Sequence, residues 1–170
     1  MKSEDKKNIQ KKLDYLISEM KRNGFLVTEH VEAAIRNTPR HEFVPNDLIE
    51  RAYHDMPLPI LKEQTISQPS VVARMIEWLD VKKNHKVLEV GTGSGWQSGI
   101  LANLTKDGQV FSIDRHKELV EFAKDNLNRC GIKNVTIIFG DGSKGLPDKA
   151  PFDRIIVSAA CKQIPAARCQ

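Results

Sequence analysis

Cysteine is scarce in this chain, and the few cysteines form no motif. Cys130, Cys161 and Cys169 are the three among 170 residues, and no two of them make a C-x-x-C pair. An odd number without paired spacing favours neither a disulfide framework nor a zinc site. We therefore expect a reduced protein in the cytoplasm, without a structural metal.

Long hydrophobic runs and blocks of like charge are also missing. No stretch is apolar over the length that a bilayer requires, and the lysine-rich start lacks the apolar core of a signal peptide. Lys and Arg exceed Asp and Glu by 26 to 22, and the two signs are interleaved along the chain. We therefore expect no membrane and no nucleic acid as a partner.

What the chain does have is a strand that leads directly into alternating glycines. Residues 87–90 predict a buried strand, and Gly91, Gly93 and Gly95 follow it. Glycine lets a ligand approach the backbone closely, and a helix that starts there directs free N–H groups at the ligand. A dinucleotide site needs G-x-G-x-x-G, whereas Trp96 stands here at the position of the last glycine. The spacing disfavours NAD, and a tight turn without a ligand is the alternative.

The charge beside this turn indicates a different ligand. Glu89 lies two residues before Gly91, near the carboxyl end of the predicted strand. A carboxylate there would repel a pyrophosphate but attract a cation, such as the ammonium or sulfonium group of S-adenosylmethionine. The alternative interpretation is a solvated carboxylate at the strand end.

Hydrophobic periodicity predicts an α/β fold of the Rossmann-like type, with helices preceding it. Residues 8–22 and a segment from Thr28 to the Thr38-Pro39 step predict two N-terminal helices, whereas residues 41–69 predict a long irregular loop. The following elements alternate, which predicts a parallel sheet with its ligand at the carboxyl ends of the strands. They are helix 69–79, the strand before the glycines, helix 95–104, strand 109–114, helix 116–130, and strands 135–141 and 152–160. We expect residues 1–68 and 69–170 to form one compact unit.

Two aspartates stand at predicted strand ends. Asp114 follows Gly91 by 23 residues, near the position where an acidic side chain accepts hydrogen bonds from ribose, although it could equally cap the next helix. Asp141 lies between Gly140 and Gly142 and is either an acceptor for an adenine amino group or a turn residue. The residues alone leave both alternatives open.

Several segments together resemble the protein-L-isoaspartate (D-aspartate) O-methyltransferase family. The resemblance covers nearly all of the chain, and the pairing of T-I-S-x-P with G-T-G-S-G is its most specific part. The matching segments are residues 40–45 (RHEFVP), 55–60 (DMPLPI), 64–69 (QTISQP), 87–95 (VLEVGTGSG), 140–142 (GDG) and 155–160 (IIVSAA).

The resemblance implies methyl transfer from S-adenosylmethionine to the free α-carboxylate of L-isoaspartyl residues in damaged proteins, which starts their repair. It implies that Ser67 is the active-site residue, although a serine before a proline-started helix is by itself more typical of a helix N-cap. Glu89 and the glycines would hold the methionine end, Asp114 the ribose, and Asp141 with Gly142 the adenine. The full set implied to bind the cofactor is Gln64, Thr65, Ser67, Glu89, Gly91, Thr92, Gly93, Gly95, Asp114, Arg115, Asp141 and Gly142.

Two departures from the family pattern stand out. Leu61-Lys62-Glu63 replaces a segment in which two glycines usually flank one residue, and side chains at positive φ would strain this loop. The sequence also ends after Gln170, where the family continues through further strands, so the C-terminal strands are expected to be missing and strand 152–160 to be an exposed edge. We expect a monomer in which self-association through that edge is an option.

Two other functions compete with this interpretation. A non-catalytic remnant that binds the cofactor without turnover is the main alternative, because of the short C-terminus. A methyltransferase for nucleic-acid bases is disfavoured, because residues 158–161 offer no aromatic side chain to stack on a base.

Overall fold

A computed structural model describes residues 3–160, which form an α/β structure with a four-stranded parallel sheet. The helices are α1 (Ser3–Arg22), α2 (Glu29–Arg36), α3 (Pro69–Leu79), α4 (Trp96–Leu104) and α5 (Lys117–Arg129). The strands are β1 (Leu58–Pro59), β2 (Thr65–Ile66), β3 (Lys86–Val90), β4 (Gln109–Asp114), β5 (Val135–Phe139) and β6 (Arg154–Val157). The predicted fold class is confirmed.

The parallel sheet has the strand order β5-β4-β3-β6. The chain leaves β3 in one direction to form β4 and β5, and it returns to the other side of β3 to form β6. The carboxyl end of β3 is therefore the point at which the strand order reverses, where open α/β sheets place their ligands. Within the described residues β6 is an edge strand, since it pairs with β3 alone.

The predicted elements agree with the structure except at their ends and in one loop. Strands β5 and β6 stop at Phe139 and Val157, before the polar residues that the prediction included. The predicted irregular loop contains a two-stranded antiparallel sheet, β1 with β2, and three short 3-10 turns. The expectation of a wholly irregular segment was therefore wrong, because a two-residue strand is fixed by its partner and leaves no periodicity in the sequence.

One hydrophobic cluster draws on both halves of the chain. It joins Leu16 and Met20 of α1 and Ile35 of α2 to Ile76 of α3 and Ile100 of α4, all of them buried. A second cluster forms around Leu88 on the opposite face of the sheet. Among residues 3–160, no helix combines the length and the apolar character that crossing a bilayer requires.

Candidate active site

A cavity of about 540 Å³ opens at the carboxyl ends of the parallel strands. This volume lies within the range of small-molecule binding sites. Eleven of the twelve residues that the resemblance implies to bind the cofactor line this cavity, and Ser67 is one of them. The lining also includes Ile66, Val72, Val90, Ser94, Trp96, Gln97, Ile113, His116, Leu119, Ser143, Ser158, Ala159 and Ala160.

Gly95 is the predicted residue that does not line the cavity. It has φ +84° at the start of α4, and a Cβ placed there would lie 3.0 Å from the Cβ of Ala123 on α5. Its missing side chain therefore serves the packing of α4 against α5. Gly91, by contrast, lines the cavity with φ +98°, and a Cβ there would lie 3.0 Å from the backbone nitrogen of Ala159.

Glu89 is fully buried at the floor of the cavity, so the alternative of a solvated carboxylate is wrong. Its Oε2 accepts hydrogen bonds from the hydroxyls of Ser98 and Ser112, the latter at 2.7 Å. Its Oε1 accepts from Nε2 of Gln97 at 3.0 Å. Burial raises the pKa of Glu89 to about 7, against the lowering effect of these three donors. A cation in the cavity would favour the ionised form of this side chain.

Asp114 is the last residue of β4, and its carboxylate accepts hydrogen bonds from the glycine turn after β3 and from the turn before α5. Its Oδ2 accepts from the backbone N–H of Gly93 at 3.0 Å, and its Oδ1 accepts from the N–H of His116 at 3.0 Å. The N-cap of α5 is His116, so Asp114 holds the turn before the helix, and the interpretation of Asp114 as the cap of α5 was wrong. Each oxygen keeps a second lone pair, and the residue lines the cavity, so the ribose contact remains a prediction.

The remaining predicted cofactor residues lie around these two acids. Asp141 is exposed. Hydrogen bonding to the side chain of Ser143 and to its backbone N–H, the latter at 3.0 Å, holds the pKa of Asp141 below its ordinary value. It is therefore a turn residue that also faces the cavity. Thr92 is buried and shares a 2.6 Å hydrogen bond with the hydroxyl of Ser112, whereas Arg115 is exposed.

The segment of Ser67 forms another part of the cavity wall. Ser67 is half-buried, and its hydroxyl makes no hydrogen bond to any residue in the range 3–160. The N-cap of α3 is Gln68, so the interpretation of Ser67 as a helix cap was wrong. The N–H of Ser70 is satisfied instead by Asp55, at 2.8 Å. The Ser67 hydroxyl is thus available to a ligand, and exposed Gln64 and Thr65 precede it on the same wall.

The loop before Gln64 has the strained backbone that the sequence predicts, though not at every position. Lys62 and Glu63 have φ of 59° and 56°, in the left-handed region. Leu61 is not among the residues with positive φ, so the expected strain is confirmed for Glu63 and wrong for Leu61. Lys62 forms an ion pair with Glu118 of α5 at 3.1 Å, which joins the loop to the helix after Asp114.

Sequence reasoning missed the polar partners of Glu89. Gln97 and Ser98 are buried on α4, Ser112 is buried on β4, and Gln97 also donates to Ser158 at 2.7 Å. One signal could have revealed them. Gln97 and Ser98 stand near the start of a mostly apolar helix, and Ser112 lies between apolar residues of a strand, where a polar side chain needs a buried partner.

Comparisons with known proteins agree with the geometry. The family model described as protein-L-isoaspartate(D-aspartate) O-methyltransferase matches residues 11–170. The protein-L-isoaspartate O-methyltransferase of Methanopyrus kandleri is 46% identical over 165 residues, which cover 96% of this chain and 73% of that protein. The protein of the same name from Pyrococcus horikoshii is 48% identical over 161 residues, or 95% of this chain and 73% of that protein.

Two solved structures share the fold. A protein-L-isoaspartate O-methyltransferase superposes with a TM-score of 0.83 at 31% identity, and the match covers 92% of this chain and 51% of that chain. A Plasmodium falciparum protein assigned to the same enzyme family, in complex with S-adenosyl-L-homocysteine, gives a TM-score of 0.80 at 25% identity. The second match covers 90% of this chain and 76% of that chain.

Proposed function

The chain belongs to the protein-L-isoaspartate(D-aspartate) O-methyltransferase family, and we propose that it methylates the free α-carboxylate of L-isoaspartyl residues in damaged proteins, with S-adenosylmethionine as methyl donor. One observation carries the proposal. A single cavity at the reversal point of the sheet is lined by the acidic residues, by the glycine turn and by the segment of Ser67.

The cavity suits a nucleoside with a cationic sulfur and an ammonium group. Three carboxylates line it, those of Glu89, Asp114 and Asp141. Gly91 has no room for a side chain, because a Cβ there would lie 3.0 Å from the backbone nitrogen of Ala159. We assign the methionine end to Glu89 and the glycine turn, the ribose to Asp114, and the adenine to Asp141 with Gly142.

S-adenosylmethionine, when bound, would supply a methyl group on a positively charged sulfur. Transfer would join the acceptor oxygen to the methyl carbon, break the bond from that carbon to sulfur, and leave S-adenosylhomocysteine. The acceptor carboxylate is ionised at neutral pH, so the enzyme needs no strong general base. What the protein must supply is alignment and the exclusion of water. Ser67 fits this role as a hydrogen-bond donor that positions the acceptor, since its hydroxyl has no partner in the described residues.

The test combines a binding and a transfer measurement. We expect calorimetry to detect binding of S-adenosylhomocysteine, and we expect methyl transfer to an isoaspartyl peptide but not to its aspartyl twin. Binding without transfer would reduce the function to that of a cofactor-binding remnant. No binding by the folded protein would refute the proposal altogether.

A variant of Asp114 tests the assignment of the site. Removal of a charge-assisted hydrogen bond in Asp114→Ala should weaken S-adenosylhomocysteine binding by about 1–3 kcal/mol. Asp125→Ala is the matched control, because Asp125 is exposed on α5 and does not line the cavity. Equal affinity of the two variants for S-adenosylhomocysteine would show that Asp114 only stabilises the two turns that it contacts.

A further inference from the structure

Arg40 stands out among the buried side chains because it is a cation in the hydrophobic interior. It is the largest of the fully buried side chains and is 1% exposed. Burial lowers the pKa of Arg40 to about 10, so the guanidinium still carries its charge at neutral pH. A charge in such a place costs several kcal/mol of desolvation, and an apolar side chain would fill the space at lower cost. Packing alone therefore does not account for an arginine here.

The hydrogen bonds of Arg40 go to main-chain carbonyls of the segment that leads to the cavity. One terminal nitrogen, Nη1, donates to the carbonyl of Ala52 at 2.5 Å. The other, Nη2, donates to the carbonyls of Met56 at 3.1 Å and Ser67 at 3.0 Å. One planar group thus fixes three points along residues 52–67. Lysine cannot reproduce this arrangement, because its ammonium lacks the rigid fork.

The same guanidinium also contacts Trp96, which follows the glycine turn and lines the cavity. It lies 5.2 Å from the ring centroid of Trp96, within the range of a cation–π interaction. Trp96 is the first residue of α4 after the glycine turn, and it lines the cavity. Arg40 therefore bridges the wall that carries Ser67 and the helix that follows the glycine turn.

The carbonyl of Ser67 receives no hydrogen bond from a helix or a strand among residues 3–160. It lies after the end of β2 and before the start of α3, where no ladder or helix bond is available. Asp55 anchors the next residues, since its carboxylate accepts from the N–H of Ser70 and from Nε2 of Gln68 at 3.1 Å. Arg40 supplies the anchor at Ser67 itself.

We infer that Arg40 is a positioning residue for the methyl acceptor: it holds the backbone of Ser67 at a fixed place relative to α4 and thereby sets the geometry of transfer. The inference rests on the proposed function and assigns to it a residue outside the cavity lining. A displacement of about 1 Å at a reacting centre can lower a rate about 100-fold.

The test compares Arg40→Lys with Arg51→Lys. Arg51 is an exposed arginine of the same region that also contacts Met56, at its sulfur, and so provides a matched control. In Arg40→Lys we expect amide hydrogen exchange of residues 64–68 to accelerate at least about 10-fold, with β3 and β4 unchanged. We expect kcat/KM for the isoaspartyl peptide to fall roughly 10- to 100-fold, and S-adenosylhomocysteine affinity to fall by a smaller factor, because Gln64, Thr65 and Ser67 are only part of the proposed cofactor site. Arg51→Lys should resemble the parent protein in all three.

Each contrary outcome has a definite meaning. Unchanged exchange and unchanged kcat/KM in a folded Arg40→Lys protein overturn the inference. If Arg40→Lys does not fold, Arg40→Gln is the second variant, and loss of the fold in both also overturns it, because Arg40 would then hold the core as a whole. If the parent protein transfers no methyl group, the proposed function fails, while the exchange measurement still decides the role of Arg40.

Discussion

Glu89 shows how one side chain can couple a ligand site to the protonation of the protein. It lies on β3 beside Ser112 of β4, and both residues point into the same buried polar cluster. Desolvation disfavours its charged form more than three hydrogen-bond donors can offset, which places its pKa at about 7. Near neutral pH the ligand-free site therefore exchanges between a neutral and an ionised state.

The buried carboxyl makes stability depend on pH in a defined direction. Its pKa is about 7 in the folded protein against an ordinary value of 4.5, so the folded state binds this proton more tightly than the unfolded state does. The stabilisation is complete below about pH 4.5 and is lost as the pH rises through 7, by about 3 kcal/mol in total. We expect Glu89→Gln to remove this dependence. Urea unfolding of both proteins without ligand, from about pH 5 to pH 8, measures the difference, and parallel curves would contradict it.

The turn between β1 and β2 is an element whose backbone conformation suits its residues poorly. Lys62 and Glu63 occupy the left-handed region consecutively, and this conformation costs an L-residue about 1–2 kcal/mol. The turn persists because its surroundings fix it. The N–H of Ile60 donates to the carbonyl of Gln64, and Lys62 is paired with Glu118.

A glycine at position 63 should relieve this strain. Glycine adopts positive φ freely but loses more conformational entropy on folding, so we expect Glu63→Gly to raise the free energy of unfolding by about 0.5–1 kcal/mol. Leu61→Gly is the matched control in the same turn, at a residue without positive φ, and it should lower stability. Denaturant unfolding of the two variants measures both signs. A destabilised Glu63→Gly protein would show that the turn is not strained.

Helices and central strands were predictable at the scale of elements because each carries its own pattern. Apolar patterns located α1, α2 and α5, Pro69 located the start of α3, and the glycine turn located the end of β3. The pair β1 and β2 was not predictable in this way. Each has two residues, and their pairing depends on residues that meet only in the folded chain.

At the scale of the whole molecule, the N-terminal segment and the sheet share their interior. The indole N–H of Trp96 donates to the carbonyl of Thr38 at 2.9 Å, and α2 packs against α4. We therefore predict a single cooperative unfolding transition for residues 1–68 and 69–170 together. Far-UV circular dichroism and the fluorescence of Trp96, read in a Trp78→Phe protein, should give coincident curves. Two separated transitions would show that the halves unfold independently.

The sequence by itself determined the fold class, the order of the helices and the parallel strands, and the placement of Glu89, Asp114 and Asp141 at or near the carboxyl ends of strands, because these follow from local periodicity and from glycine. The tertiary structure alone decided the environment of each group. It buried Glu89 among Gln97, Ser98 and Ser112, and it placed Arg40 beneath Ser67. Burial and pairing arise between residues far apart in the chain. The sequence can show that a polar side chain among apolar residues needs a buried partner, but only the folded chain decides which partner it has.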